Sequence, residues 1–307
     1  MVPPVPFAVD GATALVAVLG NPVRHSLSPA MHNAALRQMG LNWIYLALPV
    51  PAEELATVVR ALEAIGCRGL NVTIPHKQAV AALVRELRPL AQRIGAVNTL
   101  VPHPQGGWIG TNTDAEGFLA PLRTAGEVWT GRRAVVLGCG GSARAVVAGL
   151  VELGLASITV AARRRPSLEG FAADCRPWAP QLRTLVWPGE VDGSSSPLSP
   201  VLAEADLVVN TTPVGMASSL DAAAAGRCPL TSLELDALAP GTVVYDLIYT
   251  PRPTRLLQAA AARGCRTLDG LEMLVQQGAA ALRLWSGEGE VPVAAMRQAA
   301  LAQLPSP

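Results

Sequence analysis

Lysine occurs only once in this chain of 307 residues, at Lys77, although the chain has 24 basic side chains. All the others are arginines, so arginine serves wherever a positive charge alone is sufficient. A lysine ammonium can shift its pKa and exchange a proton, whereas an arginine guanidinium stays protonated in proteins. We therefore interpret Lys77 as a candidate for proton transfer. On composition alone, the chance survival of one surface lysine is the alternative.

Four segments of the first third of the chain place hydroxyl, amide or charged side chains beside glycine or proline. They cover residues 20–33, 69–77, 95–100 and 110–117, and each follows a predicted strand except where a strand pair intervenes. In an open parallel sheet, ligands bind outside the carboxyl ends of the strands, so the four segments are expected to converge on one polar pocket. The expected pocket residues are Ser26, Ser28, Thr73, Lys77, Asn98 and Asp114.

This set of hydroxyl and amide groups, with one cation and one carboxylate, suits a small acid that carries several hydroxyl groups. Taken one at a time, the same residues also have local interpretations. Ser28 and Asp114 could cap helices, and Asn98 could stabilise a turn.

A glycine-rich turn joins the apolar segment 132–138 to a helical pattern that begins at Ser142. The turn reads G-x-G-x-x-A from Gly138 to Ala143, which is one form of the dinucleotide-binding fingerprint. Gly138 would permit the tight turn, and Gly140 would let a pyrophosphate approach the backbone. The helix N-terminus would supply free N–H groups. A glycine turn without a ligand is the alternative.

The next predicted strand ends in Ala162, Arg163, Arg164 and Arg165, with no acidic residue nearby. Enzymes that use NAD usually place Asp or Glu there to bind the ribose hydroxyls. Guanidinium groups would instead hold the 2′-phosphate of NADP, so NADP is the favoured cofactor. A solvated basic turn is the alternative.

Apolar runs and helical patterns alternate along the chain. Strands are expected at residues 13–20, 43–50, 67–73, 96–102, 108–112, 132–138, 157–163, 205–212 and 242–249. Helices are expected at residues 28–40, 51–66, 75–87, 114–126, 142–154, 229–238, 270–285 and 292–303, with Ser28 as N-cap of the first. Residues 187–200 are expected to form a surface loop.

This alternation predicts an α/β protein with mainly parallel sheets. The pattern restarts near Thr113 with the rhythm of a doubly wound, Rossmann-type nucleotide-binding domain. A chain of 307 residues also exceeds the size at which one hydrophobic core stops growing, so two domains are expected. The last two helices could pack on either domain.

Composition and charge argue against several classes of function. A net charge of +1 provides no basic surface for nucleic acid or an anionic membrane. The N-terminus lacks the basic region of a signal peptide, and no apolar run approaches the roughly 18 residues that span a bilayer. The five cysteines are scattered and the four histidines have no metal-ligand spacing, so no disulfide framework or metal site is expected. We expect a cytoplasmic protein whose partners are small molecules or a second copy of itself.

Several motifs occur in an order that resembles the shikimate dehydrogenase family. Before the glycine-rich turn come H-S-x-S-P-x-x-H-N from His25, N-V-T-x-P-x-K from Asn71, G-A-x-N-T from Gly95 and N-T-D-x-x-G from Asn112. After it come V-N-T-T-P-V-G-M at 209–216, Y-D-x-x-Y at 245–249 and D-G-L-x-M-L-V-x-Q-G-A at 269–279. The resemblance therefore extends through the whole chain.

The resemblance implies an NADP-dependent oxidoreductase that reduces 3-dehydroshikimate to shikimate, in the pathway to chorismate and the aromatic amino acids. It implies a catalytic pair formed by Lys77 and Asp114. The implied shikimate-binding residues are Ser26, Ser28, Asn71, Thr73, Asn98, Tyr249 and Gln277. The implied NADP-binding residues are Gly138, Cys139, Gly140, Gly141, Ser142, Ala162, Arg163, Arg164, Leu247 and Gly270.

In this family the last helices return to the substrate domain. The implied domains are therefore 1–113 plus 270–307 for the substrate and 114–269 for NADP, in a monomer or homodimer. The family's usual Asn-Arg-Thr is replaced here by Ala162, Arg163 and Arg164, which changes the contacts to the adenosine side of the cofactor. The HSLSP and MHN motifs are also similar to dual quinate/shikimate dehydrogenases, so dual specificity is an alternative. A non-catalytic, NADP-sensing regulatory protein built on this fold is another.

Overall fold

The computed structural model describes residues 9–124, 126–187, 195–217 and 223–304. These residues form two compact units. The first unit comprises the described residues of Met1–Gln92, Ala96–Thr113 and Leu274–Ser306, and the second comprises those of Arg93–Gly95 and Asp114–Met273. Residues 188–194 of the predicted surface loop lie outside the described residues.

A six-stranded sheet lies at the centre of the first unit, in the order β2-β1-β3-β5-β6-β4. The strands are β1 Ala14–Gly20, β2 Trp43–Pro49, β3 Gly69–Val72, β4 Glu86–Leu87, β5 Thr99–Pro102 and β6 Trp108–Thr111. β1 runs parallel to β2 and β3, and β4 runs parallel to β6. Only β5 is antiparallel to both of its neighbours. The prediction of a mainly parallel sheet is confirmed, with β5 and β6 as the predicted strand pair.

Three α-helices occur in the chain before β5: α1 Ser28–Gln38, α2 Leu55–Ala64 and α3 Pro89–Ile94, the last of which ends in the second unit. In α2 the buried residues Leu55, Val59 and Leu62 recur at intervals of three and four, which places them on one helical face. That face packs into the core beneath the sheet. The helices predicted at 28–40 and 51–66 are confirmed, whereas α3 was not predicted.

The prediction of Ser28 as a helix N-cap is wrong by one position. Ser28 is the first residue of α1, the cap position belongs to Leu27, and no side chain caps this end. The Ser26 hydroxyl instead accepts the backbone N–H of Ser28 at 3.2 Å. The Ser28 side chain is therefore not used by its own helix end.

The helix predicted at 75–87 is also wrong, because tertiary pairing competes with the local helical pattern. The Lys77 carbonyl accepts the backbone N–H of Val97 at 2.7 Å, and it is therefore not used in a helical bond to residue 81. Only a short 3₁₀ helix, Ala79–Leu83, forms here. The chain then extends as β4, in which Glu86 pairs with Ile109 of β6.

The second unit contains a six-stranded, fully parallel sheet in the order β12-β11-β10-β7-β8-β9. The strands are β7 Arg133–Leu137, β8 Ser157–Ala162, β9 Leu182–Val186, β10 Leu207–Asn210, β11 Val243–Asp246 and β12 Arg266–Leu268. Counted within this unit, the order is 3-2-1-4-5-6, which is the order of a doubly wound dinucleotide-binding fold. The predicted Rossmann-type architecture is confirmed, and its strand order reverses between β7 and β10.

One helix precedes these strands and five lie between them: α4 Asp114–Thr124, then α5 Gly141–Glu152, α6 Arg165–Cys175, α7 Ser199–Ala203, α8 Ser232–Asp236 and α9 Arg255–Ala261. Apolar clusters cover both faces of the sheet, which explains why its strands are continuous hydrophobic runs. The predicted helices near α4, α5 and α8 are confirmed. The sequence interpretation missed α6, α7, α9, β9 and β12.

Two further helices follow β12: α10 Leu271–Ser286 and α11 Val293–Leu301. Trp285 near the end of α10 lies against Gly69 of β3 and donates its indole N–H to the Leu100 carbonyl at 3.0 Å. A Cβ added to Gly69 would lie 2.2 Å from the indole nitrogen, so glycine is required for this close approach. The last part of α10 is thereby attached to the sheet of the first unit.

Candidate active site

Four of the predicted substrate-binding side chains, Ser28, Asn71, Asn98 and Gln277, are buried in the first unit. The Asn98 amide is a central member of the hydrogen-bond network that connects the last three of them. Its Oδ1 accepts the backbone N–H of Thr113 at 2.8 Å. Its Nδ2 donates to the Thr113 hydroxyl at 3.0 Å and to Gln277 Oε1 at 3.4 Å. The Gln277 amide is held in turn by a bond from its Nε2 to the Leu274 carbonyl at 2.8 Å.

The network continues from Asn98 to Asn71 through Thr99. Asn71 Nδ2 donates to the Asn98 carbonyl at 3.3 Å and to Thr99 Oγ1 at 3.2 Å. The Thr99 hydroxyl donates to Asn98 Oδ1 at 2.9 Å. Strand register accounts for this contact, because Asn71 on β3 lies directly opposite Thr99 on β5.

Tyr45 extends the network from Asn71. Its hydroxyl donates to Asn71 Oδ1 at 2.7 Å. Tyr45 and Asn71 pair with Val16 and Val18 on opposite edges of β1. These valines are two residues apart, so the two polar side chains lie on the same face of the sheet.

Tyr45 stacks on His32 of α1, with ring centroids 4.1 Å apart and planes 12° apart. Burial lowers the pKa of His32 to about 4, and the hydrogen bond to the Ser28 carbonyl opposes this effect only in part. The neutral ring carries its proton on Nδ1, since Nδ1 lies 2.9 Å from that carbonyl, which can only accept. Burial also raises the pKa of Tyr45 well above 10, so its hydroxyl stays protonated. Both rings are therefore uncharged near neutral pH.

Thr73, Ser26 and Lys77 lie in loops at the carboxyl ends of β1 and β3. The methyl group of Thr73 would be 2.4 Å from a Cβ placed on Gly20, so the two strand ends are in close contact there. The loop after Thr73 is anchored by His76, whose buried Nε2 is bonded to the Val50 carbonyl at 2.7 Å. Lys77 follows as a half-buried residue. The ends of β1 and β3 thus meet at this point of the first unit.

Asp114, the second predicted catalytic residue, is the first residue of α4 and is buried. It follows Thr113, the residue whose backbone N–H and hydroxyl bond to Asn98. Asp114 begins the second unit, whereas Lys77 belongs to the first.

The glycine-rich turn lies at the carboxyl end of β7, beside the point where the strand order reverses. Gly138 has φ +102°, a backbone angle that favours glycine. A Cβ there would also lie 2.7 Å from the Thr211 hydroxyl, so both the backbone and the available space require glycine. A Cβ on Gly140 would have no heavy atom within 4 Å. Gly140 is the N-cap of α5 and provides no side chain to bond the first N–H groups of the helix. The turn therefore presents free N–H groups beside open space, as a pyrophosphate requires.

Positive charge lies close to this turn. Ala162 ends β8, and Arg163 and Arg164 follow it as exposed residues. Burial raises the pKa of the Cys139 thiol, and the charges of Arg164 and Arg144 oppose that effect. Arg164 is therefore within electrostatic reach of the glycine-rich turn. Its guanidinium is suited to a phosphate group, in agreement with the prediction of NADP over NAD.

Leu247, Tyr249 and Gly270 lie together in the second unit, in the segment after β11 and at the start of α10. A Cβ on Gly270 would lie 2.0 Å from the Leu247 carbonyl oxygen. The Gly270 N–H also donates to the Ile248 carbonyl at 3.1 Å. Burial raises the pKa of Tyr249, which keeps its hydroxyl protonated as a donor.

The sequence interpretation missed Tyr45, Thr99 and Thr113 as members of the polar network. Thr99 and Thr113 lie in the G-A-x-N-T and N-T-D motifs, which could have indicated them. Tyr45 had no such signal, because an aromatic residue inside an apolar strand is ordinarily part of the core. Thr211, which packs over Gly138, was also missed although it lies in V-N-T-T-P-V-G-M.

Within the described ranges, no group of three or more His, Cys, Asp or Glu side chains is arranged to hold a metal ion. No helix among the same residues has the length and apolar character needed to cross a membrane.

Two family models match the chain, one in each terminal region. The model of the shikimate dehydrogenase substrate binding domain matches residues 18–100. The model of the shikimate 5'-dehydrogenase C-terminal domain matches residues 270–301.

Similarity to individual proteins covers both units. The shikimate dehydrogenase (NADP(+)) of Synechocystis sp. is 48% identical over 300 residues, which cover 97% of this chain and 98% of the relative. The crystal structure of shikimate 5-dehydrogenase from Thermus thermophilus in complex with NADP(H) and shikimate has a TM-score of 0.80 and 37% identity. The match covers 95% of this chain and 100% of that chain. The quinate dehydrogenase from Corynebacterium glutamicum in complex with NAD has a TM-score of 0.81 and 31% identity, covering 94% of this chain and 99% of the other.

Proposed function

Because the chain belongs to the shikimate dehydrogenase family, we propose that it catalyses the reversible, NADPH-dependent reduction of 3-dehydroshikimate to shikimate. This reaction belongs to the pathway that leads to chorismate and the aromatic amino acids. The observation that carries the proposal is the 48% identity over 97% of the chain, which includes the polar network of the first unit and the glycine-rich turn of the second.

We assign NADP to the second unit. The residues that would hold it are Gly138, Cys139, Gly140, Gly141 and Ser142 for the pyrophosphate, Ala162, Arg163 and Arg164 for the adenosine 2′-phosphate, and Leu247 and Gly270 for the nicotinamide. The open space at Gly140, the uncapped start of α5 and the charge of Arg164 beside Cys139 all support this assignment. When bound, NADPH supplies the hydride.

We assign the substrate mainly to the first unit, where a dense set of oriented donors and acceptors suits a molecule with a carboxylate and several hydroxyl groups. Ser26, Ser28, Asn71, Thr73, Asn98 and Gln277 belong to this unit. Tyr249 is the remaining residue that we assign to the substrate, and burial raises the pKa of its hydroxyl. The domain assignment is accordingly 1–113 plus 270–307 for the substrate and 114–269 for NADP.

Lys77 and Asp114 form the proposed catalytic pair. During reduction the substrate carbonyl oxygen gains negative charge, and an ammonium group both stabilises this charge and delivers a proton to the oxygen. Lys77 has this role, and in the reverse direction it removes the proton from the hydroxyl. The Asp114 carboxylate accepts a hydrogen bond from a substrate hydroxyl and so fixes the orientation of the ring.

The activity is tested by mixing the protein with shikimate and NADP⁺ and following the absorbance band of NADPH. Lys77→Arg keeps the positive charge and impairs proton transfer, so its kcat should fall by about 100-fold or more. Asp114→Asn should also lose activity, whereas Asp236→Asn, which removes an exposed carboxylate paired with Arg263, serves as the control. A Lys77→Arg variant with near-normal kcat would refute the acid–base role. A wild-type protein that binds NADP⁺ without any turnover would support the alternative of a regulatory NADP sensor.

Dual activity on quinate and shikimate is the second candidate. Two observations favour it, the 31% identity to a quinate dehydrogenase over 94% of this chain and the HSLSP and MHN motifs. The test compares kcat/KM for both acids with NADP⁺ and with NAD⁺. A quinate value within about tenfold of the shikimate value would establish dual specificity.

We also propose that the enzyme is cytoplasmic and acts as a monomer or homodimer on small molecules. The described cysteines are all free thiols, in agreement with a reducing compartment. Light scattering of the purified protein distinguishes the two oligomeric states.

A further inference from the structure

Backbone groups fix the orientation of three amide side chains in the first unit, because a backbone carbonyl can only accept a hydrogen bond and a backbone N–H can only donate one. Asn71 faces the Asn98 carbonyl, so the group it presents there must be its NH₂. Asn98 faces the backbone N–H of Thr113, so it must present its oxygen. Gln277 faces the Leu274 carbonyl, so it must present its NH₂. The direction of the remaining hydrogen bonds follows from these three assignments.

The donors follow one another in a single direction from Tyr45 to Gln277. Tyr45 must donate its only proton to Asn71 Oδ1, since the Asn71 NH₂ points away. At the far end, the Asn98 NH₂ donates to Gln277 Oε1, which faces it because the Gln277 NH₂ is bound elsewhere.

Between these ends, Asn71 Nδ2 uses one proton on the Asn98 carbonyl and the other on Thr99. Both protons of its NH₂ group are thus committed within the protein, and no donor of Asn71 is left for a ligand. Thr99 passes its own proton to Asn98 Oδ1. Asn71 is therefore suited to connect neighbouring side chains and not to donate to a substrate.

We propose that Tyr45 and Thr99 are positioning residues of the substrate site, and that Asn71 is the link through which they act. The two hydroxyl groups hold the Asn71 and Asn98 amides in the orientation in which Asn98 meets shikimate. The inference rests on the proposed function, because it takes Asn98 and Gln277 as substrate contacts.

Burial makes this positioning effective. Tyr45 and Thr99 are fully buried, so no water is available to replace a lost hydroxyl. The stacked His32 ring holds the Tyr45 ring in place, and its Nδ1–H binds the Ser28 carbonyl at 2.9 Å. The aromatic pair thus also anchors the backbone of Ser28.

The first test is Tyr45→Phe, which removes the hydroxyl and keeps the stacked ring. Because Asn71 Oδ1 loses its donor, the Asn71 amide no longer holds Thr99 and Asn98 in one orientation. The KM for shikimate should therefore rise about tenfold, which corresponds to about 1.4 kcal/mol. Shikimate that does bind still meets Lys77 in the same way, so kcat should stay within about twofold of wild type and the KM for NADP⁺ should not change. A merely structural role would not produce this separation of KM from kcat.

Tyr245→Phe is the matched control. Tyr245 is also fully buried and stacks on Phe118 at 5.3 Å, but its hydroxyl has no hydrogen-bond partner in the described part of the chain. Removing that hydroxyl breaks no such bond. The KM for shikimate in this variant should equal that of the wild type.

Thr99→Val and Thr99→Ser provide an independent pair in case Tyr45→Phe does not fold. Valine keeps the shape and loses the hydroxyl, whereas serine keeps the hydroxyl. Thr99→Val should raise the KM for shikimate about tenfold, and Thr99→Ser should restore it to within about threefold of wild type. Equal KM values for the two variants would overturn the inference.

Wild-type turnover is measured first, so that the two proposals fail in different ways. A wild-type protein that does not oxidise shikimate refutes the proposed function and with it the inference. An active wild type, with Tyr45→Phe folded and unchanged in its KM for shikimate, refutes the inference alone. A Tyr45→Phe variant that lowers kcat and raises the KM for shikimate and the KM for NADP⁺ together also refutes the inference alone.

Discussion

Replacing Asp246 by asparagine should change how the stability of the second unit depends on pH. Asp246 is the last residue of β11 and is fully buried. Its Oδ1 accepts from Asn210 Nδ2 at 2.9 Å and from the Ile248 N–H at 3.2 Å, and its Oδ2 accepts from the Thr254 hydroxyl at 2.7 Å. All three donors are neutral, so no positive charge compensates for the buried carboxylate at these contacts.

The size of the effect follows from the pKa. Burial raises the pKa of Asp246 from 3.8 to about 6, although the hydrogen bonds from Thr254, Ile248 and Asn210 oppose it. The difference corresponds to about 3 kcal/mol by which the charged carboxylate destabilises the folded state. The folded protein binds the proton more tightly than the unfolded chain does. This destabilisation is therefore complete above pH about 6 and disappears as the pH falls toward 3.8.

Asparagine removes the charge and keeps most of the contacts. Its oxygen can still accept from Asn210 and Ile248, and its NH₂ would face Thr254, whose proton then loses its acceptor at a cost of about 1–3 kcal/mol. Near pH 7 the variant should range from equal stability to about 2 kcal/mol more stable than wild type. Near pH 4 it should be about 1–3 kcal/mol less stable, because the wild-type carboxyl is then protonated and carries no penalty.

Urea unfolding of both proteins from about pH 4 to about pH 8 measures the difference in the free energy of unfolding. Tyr245→Phe, on the same strand, is the control. Burial raises the pKa of Tyr245 far above this range, so that variant should differ from wild type by a constant amount. A constant difference for Asp246→Asn as well would show that the carboxylate is not desolvated in the folded protein, and the argument from burial would be wrong.

Three glycine substitutions provide further predictions. Gly140→Ala adds a methyl group where no heavy atom lies within 4 Å, so urea unfolding should show a loss below about 1 kcal/mol, while NADP⁺ affinity measured by calorimetry falls at least about tenfold. Gly138→Ala should reduce both NADP⁺ affinity and stability, the latter by about 1–3 kcal/mol. The reasons are the φ of +102° at Gly138 and the 2.7 Å that would separate the added Cβ from the Thr211 hydroxyl. Gly270→Ala would place its Cβ 2.0 Å from the Leu247 carbonyl oxygen, so it should lose more than about 2 kcal/mol in the same urea assay and raise the KM for NADP⁺. Normal stability of Gly270→Ala would contradict the close packing of these two segments.

The nucleotide-binding fold could be predicted from local signals because its requirements are local. A buried parallel strand must be a continuous apolar run, and the turn after β7 needs glycine at Gly138 for its backbone angles. Both conditions can be recognised without knowledge of the rest of the chain. The short edge strands β9 and β12 escaped prediction, since an edge strand is stabilised by its neighbour more than by its own sequence pattern.

Residues 75–87 show the opposite situation, in which a local signal misleads. Their apolar residues recur at helical spacing, yet the Lys77 carbonyl bonds to Val97 and Glu86 pairs with β6. Both partners are distant in sequence, so no local pattern could reveal them. Lys77 consequently lies in a turn before the short 3₁₀ helix and not in an α-helix.

The polar network of the first unit was predictable only in part, for a related reason. Ser28, Asn98 and Gln277 lie in recognisable motifs, whereas Tyr45 acquires its role from strand register alone. On β2 it faces the same side of the sheet as Asn71 on β3, with β1 between them. A shift of one residue in the pairing of β2 would turn the Tyr45 hydroxyl to the opposite face.

The two units build their candidate binding regions from different parts of the chain, and this difference determines how each should respond to substitution. In the second unit the backbone of Gly138, Gly140 and Gly270 forms the surface, so added side-chain volume is damaging and lost hydrogen bonds matter little. In the first unit the candidate substrate residues belong to a network of buried, oriented hydroxyl and amide groups, so a lost hydrogen bond is damaging even when shape is kept. The two variants should therefore have opposite effects on ligand binding. Gly140→Ala should weaken the binding of NADP⁺ alone, and Tyr45→Phe should weaken the binding of shikimate alone.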